Sequence, residues 1–118
     1  MLIVDDQECF RRAAQSLVSA TAGFEAVGES ASAEEALEAA VQLRPDLVLV
    51  DVRMPGLDGF ETSRRIRAVL PDAVVVLVSA DPEPERDQVE GSGAAAFVAK
   101  EALSRSMLQA LWQEHGPE

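Results

Sequence analysis

LVLVDVRMPGLDG, residues 47–59, is the stretch that decides the fold of this chain. Four consecutive apolar residues end in Asp51, and a run this short and unbroken is typical of a strand buried on both faces of a parallel sheet. Asp51 is then at the carboxyl end of a central strand, where open α/β sheets bind their ligands. A Pro-Gly turn follows, and Asp58 is positioned to cap a helix that begins near Gly59. Asp51 is therefore either a structural cap or a reactive group.

Length and composition bound the class of protein. The 118 residues predict one domain, over 1–115, with 116–118 as a tail or the start of a linker. The net charge of -11 argues against direct binding of nucleic acid, which depends on basic side chains that neutralise phosphates. One cysteine excludes an internal disulfide, no apolar run reaches the roughly 18–20 residues of a membrane helix, and no signal peptide is evident. We therefore expect a cytoplasmic domain without a membrane segment.

Short apolar runs alternate with helical patterns five times along the chain. The predicted strands cover residues 2–4, 24–29, 47–50, 73–78 and 94–99, with 24–29 at an edge of the sheet. The predicted helices start near Phe10, after the Ser32–Glu35 capping box, at Gly59, near Pro84 and shortly after Lys100. This alternation predicts an α/β fold with a doubly wound parallel sheet and right-handed crossovers.

The helical patterns also predict which side chains face the core. Their apolar residues recur at spacings of three and four, which places them on one side of each helix. The predicted inner residues of the first three helices and of the last one are Phe10, Ala13, Ala14, Leu17 and Val18; Ala36, Leu37, Ala40 and Leu43; Phe60, Ile66 and Leu70; and Leu103, Met107, Leu108, Leu111 and Trp112.

Polar side chains follow four of the five predicted strands. Because parallel strands share one carboxyl edge, Asp5, Asp6, Asp51, Ser79 and Lys100 should converge there. Three neighbouring carboxylates repel one another unless a cation neutralises them, and Mg²⁺ readily combines a few carboxylates with water and phosphate oxygens. The lysine and the serine add groups that bind an anion. Asp51 could then act as a nucleophile that forms an aspartyl phosphate.

With these residues in place, the chain resembles the receiver domain of two-component response regulators over essentially its whole length. The resemblance is carried by an ordered set of residues. They are the pair Asp5-Asp6, Asp51 followed by Met54-Pro55-Gly56 and Asp58-Gly59, Ser79 after the fourth strand, and Lys100 after the fifth. The resemblance implies a flavodoxin-like (βα)5 fold with strand order 2-1-3-4-5.

The resemblance also implies a role for each site residue. Asp51 would accept a phosphoryl group from a sensor histidine kinase. Mg²⁺, or Mn²⁺ in its place, would be held by Asp6, by Asp51 and by the backbone carbonyl of Arg53, with Asp5 assisting through water. Ser79 and Lys100 would bind the phosphoryl oxygens, and Ser79 and Phe97 would form the conformational switch. The domain would catalyse only its own phosphorylation and dephosphorylation, so it would not be an enzyme in the usual sense.

The sequence around Asp51 and the pair Lys100-Glu101 are similar to receivers that precede a LuxR-type helix-turn-helix domain. The expected output is therefore regulation of transcription. A homodimer could form through the fourth helix, fifth strand and fifth helix, or through the first and fifth helices. Pro82 and Pro84 depart from the usual fourth helix. We also hypothesise that Arg53 and Asp81, each two residues beyond Asp51 or Ser79, pair across the entrance and tune the phosphoryl lifetime.

Two other functions are compatible with a strand-end aspartate. A degenerate receiver would bind partners without ever accepting phosphate, which the intact set of acids, Ser79 and Lys100 disfavours. A haloacid-dehalogenase-like phosphatase also uses such an aspartate with Mg²⁺, but that class has a second aspartate two residues later. Arg53 occupies this position here, which disfavours the phosphatase.

Overall fold

The computed structural model describes residues 1–54, 56, 58–80 and 84–116. Within them, five strands alternate with five α-helices, and a single turn of 3-10 helix, Lys100–Ala102, follows the last strand. The elements are β1 (Leu2–Val4), α1 (Glu8–Ser19), β2 (Gly28–Ser30), α2 (Ala33–Leu43), β3 (Leu47–Asp51), α3 (Gly59–Val69), β4 (Val74–Ser79), α4 (Arg86–Gly91), β5 (Ala96–Ala99) and α5 (Arg105–His115).

The strands form one parallel sheet in the order β2-β1-β3-β4-β5, which confirms the predicted fold. The central strands β3 and β4 are buried at every residue. Val4 pairs with Val50 and Asp51 pairs with Val78, so the carboxyl ends of neighbouring strands lie level with one another. Residues that follow these strands are therefore brought to a common edge.

Helices cover both faces of the sheet because successive strand residues point to opposite sides. Leu2 and Val4 pack in a core with α2 and α3, while Ile3 packs in a second core with α1 and α5. Ile66 of α3 and Leu108 of α5 are fully buried in these two cores. Burial of such a side chain contributes roughly 1.5–3 kcal/mol, so the two aliphatic cores hold the edge of the sheet in place.

Several predictions about the elements are wrong in detail. Strand β5 begins at Ala96 rather than at residue 94, and Leu103 precedes α5 instead of lying on it. Strand β2 begins at Gly28 rather than at residue 24, because β1 offers ladder partners only for residues 28–30. Ala13 of α1 is exposed, since the buried stripe of this helix runs through Ala14 and Val18. Leu43 is 45% exposed because it is the last residue of α2 and lies over the glycine of the edge strand.

The predicted helix caps are present. Asp58 Oδ1 accepts a hydrogen bond from Glu61 N at 2.9 Å, and Ser32 Oγ accepts one from Glu35 N at 3.2 Å. The Glu35 carboxylate reaches the backbone N–H of Ala31 rather than that of Ser32, so this capping box is shifted by one residue. The caps fix where α2 and α3 begin, and α3 starts directly beside the end of β3.

Candidate functional site

The carboxyl edge of the sheet collects the predicted site residues. Asp51 is the last residue of β3 and Ser79 is the last residue of β4. Asp5 follows β1 directly, and Lys100 follows β5 directly. Four neighbouring strands therefore each deliver a polar side chain to the same place.

Three carboxylates lie together at this edge. One oxygen from each of Asp5, Asp6 and Asp51 falls within 4.8 Å of the others. Asp5 is fully buried and Asp51 is 5% exposed, whereas Asp6 faces solvent. Elsewhere in the described residues, no other group of three or more such side chains has this spacing.

Asp5 is held in place from several directions. Its Oδ1 accepts a hydrogen bond from Gln7 N at 2.8 Å, and its carbonyl oxygen accepts one from Arg11 Nη1 at 2.7 Å. Its Oδ2 lies 2.6 Å from Lys100 Nζ, a close ion pair in which the described residues offer this oxygen no aligned hydrogen bond. A buried carboxylate oxygen with spare acceptor capacity favours a cation.

The acid cluster therefore fits the divalent ion that the sequence predicts. The donors are carboxylate oxygens, which are the ligands that Mg²⁺ prefers. Asp6 is exposed, so the cluster borders solvent on the side of this residue.

The ammonium of Lys100 is in contact with two of the clustered acids. Its Nζ lies 3.4 Å from Asp51 Oδ2 and 3.4 Å from Gln7 Oε1, in addition to its close contact with Asp5. The ammonium also lies 4.4 Å from the centre of the Phe10 ring. Only 12% of the lysine side chain is exposed, so its charge is directed at the carboxylates.

Burial is the largest cause that raises the pKa of Asp51 above its ordinary value. The hydrogen bond that Arg53 N donates to Asp51 Oδ1, at 3.1 Å, opposes this rise, the charge of Asp5 adds to it, and the charge of Lys100 opposes it. The carboxyl group is thus desolvated at the sheet edge, with one oxygen fixed by the backbone and the other directed at the lysine.

The other predicted site residues are described by their burial and by their strand partners. Ser79 is 2% exposed and pairs with Ala99, the residue before Lys100. Phe97 pairs with Leu77 and packs, partly buried, against the core on the α2 and α3 side. Arg53 is exposed beside Asp51. Asp81 and Pro82 lie outside the described residues.

Sequence reasoning missed two groups that support the acids. The backbone N–H of Gln7 and the side chain of Arg11 bind Asp5 from the start of α1. No side-chain pattern marks the first contact, because any residue other than proline offers the same donor. Gly59 permits close packing, because a Cβ there would lie 2.6 Å from Val52 Cα and would press on the Asp51 carbonyl. Its place directly after a helix cap was the available signal.

A cavity lies at the opposite edge of the sheet, where the strands begin. This cavity, of about 350 Å³, is lined by residues that include Phe24, Arg44 and Trp112 together with the first residue of β3. None of the clustered acids lines it. The chemistry of the site therefore belongs to the carboxyl edge.

Comparison with known proteins agrees with this geometry. The family described as response regulator receiver domain matches residues 1–112. The chain belongs to this family. No helix in the described part of the chain is long and apolar enough to cross a membrane.

The proteins similar to this receiver include receivers of the NarL and LuxR types. The response regulator GacA of Pseudomonas viridiflava is 38% identical over 114 residues, which cover 94% of this chain and 52% of that protein. The chain thus spans about half the length of such curated relatives.

The receiver domain of the putative response regulator NarL from Mycobacterium tuberculosis has a TM-score of 0.83 and 30% identity, with 99% of this chain and 95% of that chain covered. A LuxR-family response regulator from Aurantimonas sp. has a TM-score of 0.85 and 26% identity, covering 96% and 81%.

Proposed function

We propose that this receiver accepts a phosphoryl group on Asp51 and then changes its affinity for a partner. The observation that carries the proposal is the convergence of Asp51 with Asp5, Asp6 and Lys100 at one edge of the sheet. A buried carboxylate that faces both an ammonium and further acids is poorly explained by helix capping, because Asp58 already caps α3.

A divalent ion is part of the proposal. Asp6, Asp51 and the backbone carbonyl of Arg53 would hold Mg²⁺, or Mn²⁺ in its place, and Asp5 would assist through water. When bound, such an ion neutralises the carboxylates and the oxygens of the transferred phosphoryl group. The incompletely satisfied Oδ2 of the buried Asp5 supports this arrangement.

In the proposed transfer, a carboxylate oxygen of Asp51 attacks the phosphorus of a phosphohistidine on a sensor kinase. An O–P bond forms, the N–P bond breaks, and its electron pair stays on the imidazole, which takes up a proton from solvent. Lys100, 3.4 Å from Asp51 Oδ2, is close enough to pair with a phosphoryl oxygen. Stabilisation of the transferred charge by positioned cations is the main contribution that proteins make to such reactions. Hydrolysis of the acyl phosphate by water would return the domain to its starting state, so the only reactions it catalyses would be on itself.

The proposed switch involves Ser79 and Phe97. The Ser79 hydroxyl, at the end of β4, would donate a hydrogen bond to a phosphoryl oxygen, and Phe97 would move with it. Phe97 lies opposite Leu77 on the neighbouring strand and is only partly buried, which leaves its ring room to change position. A ligand that prefers one of two conformations shifts their populations in this way.

The proposed partners follow from the family and from the relatives. A sensor histidine kinase supplies the phosphoryl group in the cytoplasm, and the output is transcription through a helix-turn-helix domain, as the likeness to a LuxR-family regulator suggests. Self-association through α4, β5 and α5, or through α1 and α5, would transmit the change. With a net charge of -11, the receiver itself is not proposed to contact nucleic acid.

Incubation with Mg²⁺ and acetyl phosphate, followed by intact-mass measurement, tests the proposal. We expect an adduct of one phosphoryl group that requires the metal and is absent in Asp51→Asn. Asp58→Asn is the matched control, because asparagine caps a helix as well as aspartate does. This variant should still form the adduct.

Three other outcomes of this experiment would contradict the proposal, and each would indicate a different function or acceptor. A folded protein that forms no adduct with acetyl phosphate or with a phosphorylated kinase would indicate a degenerate receiver that works by binding alone. Steady hydrolysis of phosphate monoesters would indicate the phosphatase. An adduct that survives in Asp51→Asn would place the acceptor on another residue.

A further inference from the structure

The first turn of α1 contacts the site lysine from two residues. Gln7 is the N-cap of this helix, yet its side chain makes no capping hydrogen bond. Its Oε1 instead lies 3.4 Å from Lys100 Nζ. Phe10, three residues later on the same face of the helix, has its ring centre 4.4 Å from the same nitrogen.

The carboxylates alone leave part of the hydrogen-bonding capacity of this ammonium unused. An ammonium has three N–H donors, and its close partner here is Asp5 at 2.6 Å, whereas Asp51 and Gln7 are both at 3.4 Å. The Phe10 ring is a further neighbour of the ammonium, with Nζ over its face at 4.4 Å from the ring centre. A ring face within about 6 Å attracts a cation through its quadrupole, more strongly where water is excluded.

We propose that Phe10, assisted by Gln7, is a positioning residue that holds the ammonium of Lys100 at the acid cluster. The consequence for phosphorylation rests on the proposed function, in which Lys100 binds the transferred group. The seating of the lysine itself exists without any phosphoryl group and is testable on the unmodified protein.

The competing explanation is that Phe10 only fills the core. Phe10 packs, partly buried, against the core formed by α1, α5 and the facing strands, and so does Phe24. Phe24 is on the far side of that core, at the cavity along the amino edge of the sheet. Phe24→Leu is therefore a matched control for loss of a ring from the same core.

Chemical labelling reports how accessible and how reactive the lysine amine is, and both depend on the contacts around Nζ. Lys100 is the only lysine in the sequence, so acylation of this side chain is identified by one peptide in a mass spectrum. Labelling is measured against a free amine in the same solution. We expect Phe10→Leu to label about threefold faster, the scale of a partly exposed cation–π contact. Phe10→Tyr should label like the wild type because it retains the ring, and Phe24→Leu should also be unchanged.

A second variant guards against a loss of folding. Gln7 is exposed, so Gln7→Ala should fold normally and should raise the labelling rate by a smaller factor than Phe10→Leu. Equal labelling of Phe10→Leu and the wild type would overturn the inference. So would an equal increase in Phe24→Leu, or a failure of Phe10→Tyr to restore protection.

Phosphorylation by acetyl phosphate at saturating Mg²⁺ gives the functional readout. We expect Phe10→Leu to react about threefold more slowly than the wild type and Phe10→Tyr to recover the rate. If the wild type forms no adduct with acetyl phosphate or with a phosphorylated kinase, the proposed function fails, while the labelling result still decides the role of Phe10. An unchanged rate in Phe10→Leu with faster labelling would limit that role to the unphosphorylated state and would overturn its link to transfer.

Discussion

Lys100 Nζ lies 2.6 Å from Asp5 Oδ2, and this ion pair joins the first and last strands of the chain across the carboxyl edge of the sheet. Asp5 is fully buried and the lysine side chain is 12% exposed, so water screens the pair weakly. The same lysine reaches the proposed phosphoryl acceptor, Asp51. This cation therefore offsets part of the negative charge of the acids and, in the proposed function, would also pair with a phosphoryl oxygen.

Removal of this cation should cost stability. We expect Lys100→Met to lower the free energy of unfolding by about 3 kcal/mol in the absence of metal, because it leaves a buried charge without its partner. Mg²⁺ should recover more stability in this variant than in the wild type, since the ion supplies the missing positive charge. Urea unfolding with and without Mg²⁺ measures both effects.

The double variant Asp5→Asn/Lys100→Met is the control for that prediction. Asparagine keeps an oxygen that accepts the Gln7 N–H while it removes the charge. The double variant should be more stable than Lys100→Met alone. Equal stability of the two would contradict the ion-pair account.

The pH dependence of stability should reveal the burial of Asp51. Because the folded-state pKa of this carboxyl group is raised, mainly by burial, the folded state holds its proton to higher pH than the unfolded state. Its ionisation therefore costs stability as pH rises from the ordinary aspartate pKa through the raised folded value. Asp51→Asn should be more stable than the metal-free wild type above this window, and the two should converge in acid.

Urea unfolding across this pH range measures the difference. Asparagine retains an oxygen for the Arg53 N–H, so the comparison isolates the charge. A constant difference at all pH values would contradict the prediction. The rate of phosphorylation at saturating Mg²⁺ should fall only at lower pH than this window, because the nucleophile must be ionised and the bound cation favours its ionised form.

Close packing at Gly59 should be essential to the geometry of the acceptor. In Gly59→Ala, the new Cβ would lie 2.6 Å from Val52 Cα and would press on the Asp51 carbonyl, so β3 and α3 must separate. Overpacking of this kind costs about 1–3 kcal/mol. We expect that loss in urea unfolding, together with slower formation of the acetyl phosphate adduct.

Gly91→Ala provides the comparison, because no atom lies within 4 Å of a Cβ at that position. Alanine is also favoured over glycine in a helix, by roughly 0.5–1 kcal/mol. This variant should be at least as stable as the wild type and should react normally. Similar losses in the two variants would argue against the close-packing explanation.

The exposed Arg53 should influence the lifetime of the phosphoryl group. We predict that Arg53→Ala shortens the lifetime of the adduct, because a pair between Arg53 and Asp81 would restrict the entry of water. Asp81 lies outside the described residues, so the pair stays a prediction. If the pair exists, Asp81→Ala should have the same effect and the double variant no more than either. An unchanged lifetime in Arg53→Ala would remove the idea.

Much of the fold could be predicted because the signals for it are local. The apolar run that ends at Asp51 is short and unbroken, which is typical of a strand between covering helices, and the caps at Ser32 and Asp58 mark where helices begin. The limits of β2 could not be predicted, because they depend on where the neighbouring strand β1 offers partners.

The sequence by itself predicted that Asp5, Asp6, Asp51, Ser79 and Lys100 share one edge of the sheet, since each ends or follows a strand and parallel strands end at the same edge. Only the tertiary structure decided how those groups meet. It pairs Lys100 more closely with Asp5 than with Asp51. The Gln7 N–H and the Arg11 side chain donate hydrogen bonds to Asp5, and the Phe10 ring lies beside the ammonium of Lys100. Such contacts join residues from distant parts of the chain, and their distances depend on packing that no local pattern encodes.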